Sequence, residues 1–231
     1  MEKSDVPAAV ALFVRQPIPG RVKTRLARDL GDGAACELYG AMVADILSQI
    51  TNSELPLFLF HDGSSDAGLP LTWLAASAQV IRQTGDSLGE RMTAAIEQTF
   101  SAGYEYVVVT GSDIPGISAP ILHEAVSELD SQDVVIVPAF DGGYCLIALR
   151  RDHFSPVIFR DIPWSTSRVL SSTIERCEAN GQTFKLLEPL QDIDTQDDLT
   201  VYGRQPSPHA AETVNWLIKN GFYFPSSGLI T

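Results

Sequence analysis

The sequence predicts a three-layer α/β/α protein built on a mixed, mostly parallel sheet. Short apolar runs alternate with helix-like segments along nearly the whole chain. Each crossover between parallel strands must cover a sheet face, so this alternation places helices on both sides. One pair of apolar runs breaks the rule, being joined by too few residues for a crossover. With 45% hydrophobic and 19% charged residues in a chain of 231, there is enough apolar material for one sizeable core and no sign of disorder.

The strand-like runs are Ala8–Val14, Leu57–Phe60, Gln79–Ile81, Tyr106–Thr110, Val134–Val137, Tyr144–Leu149 and Thr183–Leu187. Helical patterns lie at about 34–51, 88–102, 119–129, 167–180 and 196–203. Three of these have legible starts. Ser87-Leu-Gly-Glu90 fits a capping box, while Thr195 and Ser118 stand where N-caps would satisfy free amides. Val134–Val137 and Tyr144–Leu149 are separated only by Pro138-Ala-Phe-Asp-Gly-Gly143. One of the pair must therefore run antiparallel.

After Gly203 the chain offers Pro206-Ser-Pro208 and then a helix over Ala210–Asn220, with Trp216 and Leu217 available for docking. The expected organisation is one domain over residues 1–204 and a C-terminal helical appendage over 205–231, not a second domain. No internal repeat or low-complexity segment is visible.

The formal charge is -13, yet five of the sixteen Lys and Arg residues fall between positions 15 and 28. A concentrated basic loop on an acidic protein suggests a local anion site. A nucleic-acid surface would need cations over a wide face, and an acidic protein is repelled by anionic membranes. Cys36, Cys145 and Cys177 are widely spaced, as neither a disulfide framework nor a zinc site would be. The N-terminal apolar stretch is too short to span a bilayer and lacks a signal-peptide cleavage site. The expectation is a cytoplasmic protein with no nucleic-acid or membrane partner.

The strongest chemical signal is Pro17-Ile-Pro19-Gly20, followed by Lys23-Thr24-Arg25. Pro fixes φ and Gly permits positive φ, so the loop can hold a tight shape. Lys23 supplies a point charge and Arg25 a two-pronged donor, both suited to phosphoryl oxygens. The spacing is not that of a Walker A loop, and Gly31-Asp-Gly33 is no dinucleotide fingerprint. A solvated basic loop is the plain alternative.

Three acidic segments follow. An apolar strand delivers Asp113 at its carboxyl end, in Gly111-Ser-Asp-Ile-Pro115, where α/β sheets place ligands. A carboxylate there can hold Mg²⁺ or Mn²⁺ against a diphosphate, or simply cap a turn. Asp192 and Asp194 alternate by two and face the same way if extended. Asp194 is the candidate second metal ligand, with Asp192 as fallback, while Asp197 and Asp198 suit a helix N-terminus. In Asp141-Gly142-Gly143-Tyr144 the carboxylate could contact sugar hydroxyls or act as a base, although a hairpin turn would read alike. Trp164, in Ile162-Pro-Trp-Ser-Thr166, can stack on a ligand or bury its ring. The four histidines show no metal-ligand spacing, and no Gly-x-Ser-x-Gly elbow is present.

Six ordered blocks resemble one family, the bacterial DUF2064 transferases of GT-A, or nucleotide-diphospho-sugar transferase, fold. They are Pro17-x-Pro-Gly-x-Val-Lys-Thr-Arg-Leu26, Gly85-Asp-x-Leu-Gly-Glu-Arg-Met92, Gly111-Ser-Asp-x-Pro115, Pro138-Ala-x-Asp-Gly-Gly-Tyr144, Trp164-Ser-Thr166 and Asp192-Ile-Asp-Thr195. The resemblance covers residues from about 8 to 203. It implies that Pro19, Gly20, Lys23, Thr24 and Arg25 bind the nucleotide's phosphates, and that Gly85, Leu88 and Arg91 line its base and ribose. It implies a metal on Asp113 and Asp194, with Asp141, Gly142, Gly143, Tyr144 and Trp164 facing sugar or acceptor. Arg15 stands where the family often has Lys, and Ile114 where Cys is frequent.

The expected function is a Mg²⁺- or Mn²⁺-dependent glycosyltransferase taking a nucleotide-diphospho-sugar donor and a small-molecule acceptor. Asp113, Asp141 and Lys23 are the expected catalytic residues. Nucleotidyl transfer from an NTP to a phosphorylated or acidic small molecule is the alternative. A non-catalytic nucleotide-binding protein is a third reading, against which the paired Asp113 and Asp194 argue. A homo-oligomer is open, with the tail a candidate contact.

Overall fold

The structure, a computed structural model, describes residues 6–63 and 66–224. Residues 1–5 of the N-terminal segment and 225–231 of the expected appendage lie outside the described residues. Seven strands follow in chain order: β1 (Ala8–Val14), β2 (Leu57–His61), β3 (Gln79–Arg82), β4 (Tyr106–Thr110), β5 (Val134–Pro138), β6 (Tyr144–Arg150) and β7 (Phe184–Leu186). They form one sheet in the order β3-β2-β1-β4-β6-β5-β7. Every pairing is parallel except those of β6, which runs antiparallel to both β4 and β5. The five residues between β5 and β6 are the cause, since only an antiparallel return fits a link that short.

The helices are α1 (Thr24–Leu30), α2 (Asp32–Ser53), α3 (Leu71–Ala76), α4 (Leu88–Ser101), α5 (Ala119–Glu128), α6 (Val169–Ala179), α7 (Gln196–Tyr202) and α8 (Ala211–Asn220). The alternation of β1 shows how the layers arise. Val10, Leu12 and Val14 enter a core shared with Leu38, Met42 and Ile46 of α2, Leu122 of α5, Leu199 of α7 and Trp216 of α8. Ala9 and Ala11 point the other way, toward Met92, Ile96 and Phe100 of α4 and Cys177 of α6. Covered on both faces, the central strands read as continuous apolar runs.

Differences from the sequence expectation are local. α1 and α3 were not expected, and α2 begins at Asp32. Seven- and six-residue helices carry too few turns to show a period. Ser118 occupies the N-cap of α5 but its side chain makes no capping bond. The Ala119 amide is met instead by Gln49 Oε1 of α2, 3.2 Å away. Ser87 and Thr195 both form full capping boxes, the second with Asp198 in the role usually taken by Glu.

The C-terminal segment is tied to α2. Asp45, only 4% exposed, accepts the Glu212 and Thr213 amides at 2.9 and 2.8 Å. That carboxylate caps the N-terminus of α8 from across the fold. Trp216 and Leu217 are buried beneath it.

From β1 the chain winds outward to β2 and β3, whereas β4 leads to the other half of the sheet. Open α/β sheets bind ligands at the carboxyl ends of strands where the winding reverses. Here that point lies between β1 and β4.

Candidate active site

The basic loop leaves β1 and the Gly111-Ser112-Asp113 turn leaves β4, side by side. Arg21 N donates to Ile18 O at 2.9 Å, with Gly20 at φ 78°. Pro second and Gly third, with positive φ at the third residue, is the pattern a type II turn requires. Lys23 then adopts φ 47°, ψ 45° and acts as N-cap of α1. A left-handed non-glycine residue is strained, and this one turns its side chain inward.

The Lys23 ammonium lies 3.1 Å from Asp113 Oδ2 and 2.6 Å from Asp194 Oδ1. Burial by itself would lower the Lys23 pKa, but the two carboxylates outweigh it and hold it above its ordinary value. Asp194 shows the mirror effect. Burial would raise it, yet Lys23 and Arg25 keep it below the usual carboxylate range. Ile193 explains how Asp194 arrives here: its amide donates to the Asp113 carbonyl at 3.1 Å, while its side chain is fully buried. Asp192 and Asp194 therefore face the cleft together. Asp198 accepts the Asp194 and Thr195 amides and caps α7.

The cleft has two lobes that meet at Asp113, Asp194, Arg25 and Leu88. The first, about 410 Å³, is lined by Arg15, Lys23, Thr24, Arg25 and Arg91, together with Asp62 and Gln83. Arg91 spends its Nε on the Gly85 carbonyl at 3.0 Å. The second, about 540 Å³, holds four carboxylates, Asp113, Asp141, Asp192 and Asp194, beside Trp164 and Tyr144. Burial and then the neighbouring Asp141 push the Asp192 carboxyl up to about 6.

Pro19, Gly20, Gly85 and Gly142 do not line either lobe; they shape the turns that carry lining residues. At Gly142, φ is 90° and a Cβ would stand 2.3 Å from the Ser167 carbonyl oxygen. The close approach that needs this glycine is made by the 164–168 loop, whose Leu170 neighbour donates to the Gly142 carbonyl at 3.0 Å. Asp141 Oδ1 accepts the Gly143 amide at 2.8 Å, which orients the carboxylate. Tyr144 presents its ring, edge-on to Trp164 at 6.5 Å between centroids, and its hydroxyl lies 4.0 Å from the Met92 sulfur.

Sequence reasoning missed Tyr39, Ser112, Asp62 and Gln83 as parts of this site. Tyr39 sits within the apolar pattern of α2 and has no local signal. Gln83 follows β3 and donates to the Val14 and Phe60 carbonyls, at 3.3 and 3.0 Å.

Among the described residues, no group of three or more His, Cys, Asp or Glu side chains is arranged to hold a metal ion. Two carboxylates do converge on one cation, the Lys23 ammonium. Mg²⁺ is commonly held by one or two carboxylates, with substrate phosphates and water completing the shell. Asp113 and Asp194 fit that kind of site.

The fold and its cleft define a protein of the nucleotide-diphospho-sugar transferase fold. Within that fold the chain belongs to the family described as "Uncharacterized protein conserved in bacteria (DUF2064)", which matches residues 46–166. A crystal structure of a provisionally assigned nucleotide-diphospho-sugar transferase from Desulfovibrio desulfuricans G20 is 32% identical, with a TM-score of 0.83 over 94% of this chain and 96% of that one. A cytidylyltransferase from Leptospira borgpetersenii is 12% identical, with a TM-score of 0.56 over 96% and 99% of the two chains. A nucleotidyl transferase from Methanothermobacter thermautotroptrophicus is 15% identical, with a TM-score of 0.54 over 92% and 99%. These last two share the fold. No curated protein matches the chain. No helix among the described residues is long and apolar enough to cross a membrane.

Proposed function

We propose that this protein is a glycosyltransferase that uses a nucleotide-diphospho-sugar donor, a divalent metal ion and a small hydroxylated acceptor. The observation that carries this reading is the junction of a cationic lobe with an acidic one at Asp113 and Asp194. Arg15, Arg25 and Arg91 suit a diphosphate, while Asp62 and Gln83 suit the polar edges of a ribose and base. The sugar would lie in the larger lobe against Trp164.

In the transfer, the bond between the anomeric carbon and the diphosphate oxygen breaks and an acceptor oxygen takes its place. Charge develops on the leaving diphosphate. Arg25, which lines both lobes, would stabilise it, and preorganised charge of this kind is a large part of catalysis. Mg²⁺ or Mn²⁺ held by Asp113 and Asp194 would act as a Lewis acid on the same oxygens. Asp141, oriented by the Gly143 amide, would take the acceptor's proton.

Nucleotidyl transfer to a phosphorylated or acidic acceptor is less well served. Besides the metal-binding pair, Asp141 and Asp192 line the acceptor lobe, with a single cation, Arg25. Like charge there would repel an anionic acceptor and favour a neutral one. The described cysteines are all unpaired, which suits a cytoplasmic setting.

Thermal stabilisation tests the reading, using UDP-, GDP- and dTDP-sugars and the four NTPs, each with and without Mg²⁺ or Mn²⁺. Metal-dependent stabilisation by one nucleotide sugar is expected. A response to NTPs alone would replace glycosyl by nucleotidyl transfer, and no response to any of them would sink both.

A further inference from the structure

A lysine meant only for phosphate should stand open to its ligand. The Lys23 side chain is 5% exposed, whereas Asp113 and Asp194 are 36% and 40% exposed. The carboxylates face the cleft and the ammonium sits behind them, delivered by a strained backbone at the N-cap of α1. Arg25, 66% exposed and 3.9 Å from Asp194 Oδ2, already lies in the open. The loop thus spends one cation on the carboxylates and presents the other to the cleft.

Building on the transferase reading, we propose that Lys23 is the built-in counter-ion of Asp113 and Asp194, and that a divalent ion binds them only by displacing its ammonium. Two carboxylates aimed at one point repel unless a cation lies between them. The ammonium now fills that place, at hydrogen-bond distance from both. A divalent ion on the same oxygens would stand within a few ångströms of it. In a partly desolvated site, repulsion between such cations is strong. The resting chain therefore binds metal weakly. A donor's diphosphate, entering the adjoining lobe, offers Lys23 another anion and frees the pair. Donor and metal then assist each other's binding, by the same factor in each direction.

Mn²⁺ binding to the full chain without nucleotide, followed by the loss of the free-ion signal in electron paramagnetic resonance, tests this. Lys23→Met should bind Mn²⁺ at least tenfold more tightly than wild type, and the added Asp194→Asn change should abolish the gain. Equal affinity in wild type and Lys23→Met would overturn the proposal. Circular dichroism checks folding, with Lys23→Gln as the second variant. The wild type gives an independent reading through ¹⁵N-labelled lysine, because the sequence holds only Lys3, Lys23, Lys185 and Lys219. A buried ammonium between two carboxylates gives a slowly exchanging signal, which added Mg²⁺ should remove. Its survival at Mg²⁺ saturation, read by calorimetry on the same sample, would also overturn the proposal. No nucleotide is present in either experiment. Failure of every donor to stabilise the protein, with the Mn²⁺ contrast intact, would therefore refute the transferase reading alone.

Discussion

The Tyr39 hydroxyl lies 2.9 Å from Ser112 Oγ, deep beneath the cleft. The same oxygen accepts the Arg15 amide at 2.8 Å. One phenol on α2 thus ties the start of the basic loop to the residue before Asp113. Burial raises its pKa, so it stays a neutral hydroxyl at any working pH. Tyr39→Phe should cost about 1–3 kcal/mol, the usual penalty for stranding buried partners. It should also raise the KM for donor more than it lowers kcat, because it loosens a binding loop and leaves the reacting groups in place. Urea unfolding and steady-state kinetics check the two halves; unchanged stability and KM would show that the link is incidental.

Asp113→Asn should reduce metal-dependent turnover by roughly 10²-fold or more, the scale of losing a charge-stabilising group. Folding should survive, since Lys23 keeps Asp194 as a partner. Retained turnover in a folded variant would remove Asp113 from the mechanism. Asp141→Asn should preserve donor-induced thermal stabilisation while lowering turnover, as expected of a group acting on the acceptor. Undiminished turnover there would exclude Asp141 as the base.

Asp45→Ala removes the acceptor of the Glu212 and Thr213 amides. Loss of an N-cap costs about 0.5–2 kcal/mol, and here the cap also joins two distant segments. Limited proteolysis should cut the variant near residues 204–210 faster than wild type. Equal cleavage rates would mean that the burial of Trp216 and Leu217 suffices to hold α8.

The sheet was legible because its central strands are apolar on both faces, and the β6 reversal because its connection is short. The capping box at Ser87 and the N-cap at Thr195 each lie within four residues, so they too could be read locally. The pairing of Lys23 with Asp113 and Asp194 could not, since 90 and 171 residues separate the partners. The loop's composition suggests cations for phosphate, but composition does not say which cation turns inward. That depends on the left-handed backbone at Lys23. Gly142 is a similar case: the motif suggests close approach to something, and only the fold shows it to be Ser167. Tyr39 and Gln49 lie in a helix pattern that looks like ordinary core, and their roles depend on where other loops end.

Asp192 gives a prediction in pH. Its folded pKa is raised from 3.8 to about 6, through burial first and Asp141 second. A raised acid pKa means that the folded state holds the proton more tightly than the unfolded one. Its contribution to stability is thus most favourable below the ordinary value, falls as pH rises from about 4 to 6, and stays unfavourable above that. Asp192→Asn removes the charge and with it this trend. In EDTA, the variant's melting temperature should exceed that of wild type at pH 7.5, and the gap should close toward pH 4. A gap independent of pH would mean that Asp192 is stabilised by something other than the proton.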